Sequence, residues 1–195
     1  MEKFFLDLGL SFTMSKLLPY ILMTLIGLVL SIIVFKKAKT KLTKIIAIIL
    51  FFAPFGIYFS VNPIYSGDFS NDSRMVSMTT ETAELKEKKL VLIAMPGCPF
   101  CMMAINTLKQ LKEKNPAMDI EFIVTSTDPE TLAPYQEEIN GAFPCKTSEN
   151  PIAMADLAER RFPVFVLVDP TKKEFEIWNN NSFGVRAMDK VISAF

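Results

Sequence analysis

The chain has 195 residues, half of them hydrophobic, with 21 basic and 21 acidic side chains and no histidine. That balance gives no support for a basic nucleic-acid surface, and the missing histidine excludes histidine bases, triads and metal ligands. A mean hydropathy of +0.29 is too high for an ordinary water-facing domain throughout, and the excess lies at the N-terminus.

Residues Glu2 to Ser15 are too short and too mixed to span a bilayer, and Phe4, Phe5, Leu8 and Phe12 fit a segment lying along the outer leaflet. Leu17 to Phe35 then gives 19 residues without a charge. At about 1.5 Å per residue that is about 28 Å of helix, close to the roughly 30 Å hydrocarbon core. A second uncharged run, Ile45 to Val61, is 17 residues long and carries Pro54 and Gly56, both tolerated in membrane helices. Neither run has the polar face that a helix buried in a water-facing bundle would show.

Between them Lys36 to Lys44 holds five lysines and no acid, which by the positive-inside rule marks a cytoplasmic loop. The expectation is a two-pass hairpin over residues 1–61 in the cytoplasmic (inner) membrane, with the N-terminus and all that follows Val61 on the extracytoplasmic side. A cleaved signal peptide is the alternative for the first segment. It is opposed by the length of the apolar stretch and by lysines where a small-residue cleavage site belongs. Residues 1–61 carry seven lysines against Glu2 and Asp7, a net of +5, which leaves the rest at −5.

Asn62 to Thr80 is rich in Ser, Thr, Asn and Asp, with turn signals at Asn62-Pro63 and Ser66-Gly67-Asp68, and reads as a tether. Glu81 to Lys88 reads as a short helix opening a globular domain over 81–195. A strand over Lys89 to Met95 leads into Cys98-Pro99-Phe100-Cys101. A helix runs on to Lys114, with apolar positions at Met102, Ile105, Leu108 and Leu111.

Two cysteines three apart at the start of a helix form a dithiol redox centre. Unpaired backbone N–H groups and the positive end of the helix dipole favour thiolate at Cys98, and Cys101 is placed to resolve a mixed disulfide. Pro99 fits the first turn, where its missing N–H costs little. A half zinc site is the first alternative, but four ligands are needed and Cys145 is the one remaining cysteine. An inert structural disulfide is the second.

Further on, Ile120 to Thr125 reads as a strand, Pro129 to Ile139 as a helix begun near Asp128, and Ile152 to Arg160 as another. Val164 to Val168 is the strongest strand; a turn at Asp169-Pro170-Thr171, a strand over Glu174 to Trp178 and a helix from Val185 to Ala194 close the chain. Alternating elements of this kind predict an α/β domain with a central mixed sheet. Cys145 reads first as a buried core residue, with a third exchanging thiol or an intersubunit bridge left open.

The residues Cys98-Pro99-Phe100-Cys101 after a buried strand, Phe162-Pro163 before the next core strand, a strand pair joined by a turn and a closing helix resemble the thioredoxin superfamily. The surplus around Leu132 to Asn150, with Gly141 to Lys146 at the place of an extra strand, resembles the TlpA-like, membrane-anchored extracytoplasmic members. The resemblance implies a cis Phe162-Pro163 bond beside the reactive pair, helping to hold an extended client segment. It assigns catalytic roles to Cys98, Cys101 and Pro163, and implies no cofactor and no metal. Three positions depart from the pattern: Gly97 stands where thioredoxins usually have tryptophan, Leu92 where they have a buried acid, and Ala104 where TlpA-like reductases often have an acid.

The resulting expectation is a membrane-tethered thiol-disulfide oxidoreductase acting on cysteine-containing envelope proteins, of which apocytochromes are one class. A reducing role would require a transmembrane electron donor. The alternative is a non-catalytic accessory subunit of a larger membrane complex, for which Gly27 and Ser31 form a small-xxx-small pair suited to packing on other helices. Met95, Phe100, Met102 and Met103 fit a greasy collar suited to flexible protein clients, and equally core packing or a membrane-facing patch.

Overall fold

The computed structural model of the chain describes residues 1–77, 85–172 and 174–195. These fall into two compact units, residues 1–66 and 67–195.

The first unit contains α1 (Glu2–Asp7), α2 (Phe12–Lys37) and α3 (Lys41–Val61). Ser11 caps α2 by accepting the Met14 N–H, so the helix starts before the uncharged run and takes Lys16 into its opening turns. Thr40 and Thr43 form a reciprocal cap on α3, which draws Lys41 and Lys44 into that helix. The lysine-rich segment is therefore mostly helix end, with residues 38–40 as the turn.

Both helices are long and apolar enough to cross a membrane. They meet closely at Gly27, where a Cβ would lie 2.2 Å from the Phe51 carbonyl oxygen. Near the other end the Tyr20 hydroxyl donates to the Asn62 carbonyl and its ring meets Tyr58 edge-on. Gly27, expected to serve packing on other helices, is thus used inside the hairpin.

The second unit is built on a six-stranded mixed sheet in the order β1-β6-β5-β2-β3-β4. The strands are β1 (Arg74–Ser77), β2 (Lys89–Ala94), β3 (Ile120–Val124), β4 (Cys145–Thr147), β5 (Val164–Val168) and β6 (Glu174–Asn179). The helices are α4 (Pro99–Lys114), α5 (Ala133–Ile139), α6 (Pro151–Leu157) and α7 (Val185–Ala194). β2, β3 and β4 are parallel, while β5, β6 and β1 add antiparallel on the other side of β2. A β2-α4-β3 crossover followed by the β5-β6 hairpin and α7 is the thioredoxin-like arrangement, as the sequence predicts.

Period-two alternation divides the core. Val91, Ile93, Ile123, Val164, Val166, Val168, Phe175 and Ile177 meet α6 through Met154 and Leu157 on one face. On the opposite face the Phe122 ring meets Tyr135 of α5 at 5.0 Å between centroids.

Part of the expected tether is sheet. β1 pairs with β6, Asn71 bridges to Phe183 and accepts the Trp178 indole N–H at 3.0 Å, and the Val185 N–H donates to the Asp68 carbonyl. Gly184 permits this approach, since a Cβ there would lie 2.3 Å from the Gly67 carbonyl oxygen. Four residues are too few to show a strand period in a polar stretch, so the pairing comes from β6. The compact unit accordingly begins at Gly67 rather than at Glu81. Of the helix expected over Glu81–Lys88, residues 81–84 lie outside those described; residues 85–88 are not helical, and Leu85 is buried in the core.

Two further helices are shorter than expected. The predicted 129–139 helix divides into a 3-10 turn, Pro129–Leu132, and α5, with Pro134 in the first turn of α5, where it has no N–H to donate back to Glu130 and carry one α-helical ladder through both pieces. α6 stops at Leu157, ahead of Glu159 and Arg160, which both take left-handed backbone (φ +48° and +56°).

At the start of the parallel strands, Glu121 sits between Lys89 and Lys146, each 2.9 Å away. Burial pushes its carboxyl up, but hydrogen bonds from Lys146 and Lys89 outweigh that and hold it below the ordinary carboxylate range.

Candidate active site

β2 ends at Ala94, and the chain turns through Met95-Pro96-Gly97 before α4 begins. Gly97 sits at φ +69°, a conformation that favours glycine.

Cys98 is the N-cap of α4 and Pro99 its first residue. Cys98 and Cys101 are joined as a disulfide with their Cα atoms 5.2 Å apart. The Cys101 N–H donates to Cys98 Sγ at 3.1 Å. One of the orphan donors of the helix is thereby aimed at the sulfur that would carry negative charge after reduction. Cys98 is 5% exposed and Cys101 fully buried, so Cys98 is the more accessible residue of the pair.

Leu92, six positions before Cys98 on β2, is fully buried and apolar, and the first turn of α4 carries no acid.

Phe162-Pro163 is cis, as the resemblance implies. Phe100, Arg161, Phe162, Pro163 and Asn179 to Asn181 line a groove of about 330 Å³, which places Pro163 and Phe100, the residue before Cys101, on one concavity. Arg161 supplies the one charge in that lining, and the left-handed Glu159 and Arg160 lead the chain into it. Of the expected collar, Phe100 is 57% and Met103 68% exposed and Met95 is exposed as well, whereas Met102 is half-buried.

Sequence reasoning missed Tyr135. Its hydroxyl accepts the Cys98 N–H at 3.1 Å and donates to the Met95 carbonyl at 2.6 Å. Burial raises its pKa, with the Cys145 thiol adding to the effect, so at neutral pH it is a phenol able to accept and donate at once. The available signal was chemical: a tyrosine on the apolar stripe of a short helix needs a hydrogen-bond partner for its buried hydroxyl.

Cys145 lies on β4 opposite Phe122 and is a free thiol. Burial pushes its pKa up to about 11. Among the described residues, no three His, Cys, Asp or Glu side chains form a set that could hold a metal ion.

No family model and no curated protein matches the chain. Among solved structures it is similar to a secreted Mycobacterium tuberculosis disulfide oxidoreductase homologous to E. coli DsbE, at 20% identity over 62% of this chain and 96% of that one, with a TM-score of 0.45. It is also similar to MTB dsbF in mixed oxidized and reduced forms, at 11% identity over 67% and 98% of the two chains and a TM-score of 0.45. A thioredoxin-like protein in its oxidized form is 15% identical over 65% and 93%, with a TM-score of 0.42.

Proposed function

We propose that the chain is a membrane-tethered thiol-disulfide oxidoreductase in which Cys98 exchanges with cysteines of extracytoplasmic proteins and Cys101 resolves the intermediate. One observation carries the reading: the disulfide sits in the first turn of α4 with the Cys101 N–H on Cys98 Sγ. The same bond geometry that holds the disulfide would stabilise the Cys98 thiolate once the pair is reduced.

From the oxidised form, a client thiolate attacks Cys98 Sγ, forming a client–Cys98 disulfide and releasing the Cys101 sulfur, which takes up a proton. A second client thiolate then attacks the client sulfur of that bond and releases Cys98. The client leaves with a new disulfide, and two electrons have passed to the Cys98, Cys101 dithiol. Run in reverse, the reduced pair opens a client disulfide and becomes oxidised, and a membrane dithiol donor would restore it.

Pro163 and its neighbours would seat the client backbone in the groove, and the exposed Phe100, Met95 and Met103 suit apolar residues flanking its cysteine. The hairpin would anchor the chain. Its large apolar side chains point outward along both helices, where lipid would cover them, and five of its seven lysines gather at one turn. The charge rule supports a cytoplasmic turn, which would put the domain that carries Cys98 and Cys101 on the extracytoplasmic face.

The test is a trapping experiment on the full chain in detergent. Reduced Cys101→Ser, mixed with a denatured disulfide-containing protein, should accumulate a reducible adduct on Cys98, while Cys98→Ser should give none. No adduct, or one on Cys145 alone, would reject the assignment.

A further inference from the structure

We propose that Tyr135 is a positioning residue for the redox pair, bracing the loop that delivers Cys98; the inference rests on the oxidoreductase reading above. The loop from Met95 to Cys98 closes on itself through a Cys98 N–H to Met95 carbonyl contact of 3.3 Å, long for a backbone hydrogen bond. The Tyr135 hydroxyl joins the same two atoms from outside the loop, at 3.1 and 2.6 Å. Both polar groups of the turn are thereby satisfied by one side chain, which is 1% exposed and keeps water from behind the loop.

The brace is itself held. Asp128 caps the 3-10 turn before α5 by accepting the Glu130 N–H at 2.9 Å, and Phe122 packs on the tyrosine ring. At the far end of α5, Lys109 of α4 donates to the Glu138 carbonyl and pairs with its carboxylate. The 129–139 segment therefore grips the redox helix at two places, before its first residue and midway along it.

The consequence for chemistry is local. Cys98 Sγ accepts from the Cys101 N–H only while Cys98 keeps its capping conformation (φ −80°, ψ 112°). Without the phenol hydroxyl, the Cys98 N–H and the Met95 carbonyl keep only their long mutual contact, the cap loosens, and the thiolate loses part of its stabilisation. Tyr135 touches neither sulfur in this arrangement; it acts through the backbone.

The experiment follows alkylation of Cys98 by iodoacetamide against pH in the reduced full chain in detergent, alongside the reduction potential. Tyr135→Phe should raise the pH midpoint, slow alkylation at pH 7 by about 3- to 10-fold and move the potential to a more negative value. Met154→Ala opens the core on the opposite face of the sheet, away from the brace, and should lower thermal stability without moving the midpoint.

If Tyr135→Phe does not fold, 4-fluorophenylalanine at position 135 keeps the ring and fills the place of the hydroxyl. Its fluorine cannot donate to Met95 and accepts only weakly from Cys98, and the same slowing is expected. A Tyr135→Phe protein that loses stability while keeping the wild-type midpoint and potential would overturn the proposal, and so would an unslowed 4-fluorophenylalanine form. A wild-type pair that never titrates as a two-electron couple would instead remove the functional reading on which it rests.

Discussion

The two ends of the parallel strands are held by opposite means. Where β2 and β3 begin, Lys89, Glu121 and Lys146 form an ionic triad in which Lys89 and Glu121 are largely buried and Lys146 is partly exposed, and charge fixes the strands. Where β2 ends, about 16 Å further along at strand rise, the loop before α4 is held by neutral groups: backbone amides and carbonyls and one phenol. A carboxylate beside the pair would oppose a thiolate by like-charge repulsion when ionised and serve as its proton acceptor when correctly poised. The first turn of α4 carries no acid, so in the proposed reading N–H donors and the helix end stabilise the thiolate.

Disturbing the ionic end should change stability and leave chemistry alone. Glu121→Gln strands two lysines, one of them buried, and should cost about 3 kcal/mol in chemical denaturation while the Cys98–Cys101 potential stays at its wild-type value. The pH dependence has a definite sign. The Glu121 pKa is depressed in the folded state, so its contribution is full above the ordinary carboxylate range and is lost as pH falls through the depressed value. Stability of the wild type should therefore fall toward that of Glu121→Gln in acid, and a difference that persisted unchanged at low pH would contradict the triad's role.

Disturbing the neutral end should do the reverse, and the modest alkylation effect expected of Tyr135→Phe sharpens that contrast. The smallest effect is expected at Cys145. With its pKa near 11, only about one thiol in 10⁴ is ionised at pH 7. Cys145→Ala should leave both the potential and the rate of client exchange unchanged, as measured by mass-tagging of free thiols. A loss of exchange in that variant would make Cys145 a working third thiol.

Much of this architecture was readable from residue order. The buried strands β2 and β5 are unbroken apolar runs, the helix after Cys98 keeps a 3-4 period, and Cys98, Cys101 and Pro163 stand at element boundaries. The parts that were not readable depend on partners distant in sequence. β1 exists because β6, Trp178 and Phe183 accept it, and nothing within Arg74–Ser77 announces a strand. Tyr135 lies 37 residues from the amide it accepts, on a helix whose own period explains its burial without reference to the site. The early stop of α6 follows from left-handed backbone at Glu159 and Arg160, residue types that give little warning of it. The lysine-rich turn was foreseen in charge but not in length, because its capping threonines extend α3 into it.

The central claim is that Cys98 and Cys101 form one exchanging redox unit. It is tested most directly by equilibrating the full chain in detergent against thiol-disulfide buffers and counting free cysteines by mass-tagging. The account predicts that both cysteines become accessible together along a single two-electron curve, with Cys145 tagged throughout under denaturing quench. A pair that stays oxidised at every accessible potential, or whose cysteines titrate independently, would contradict it.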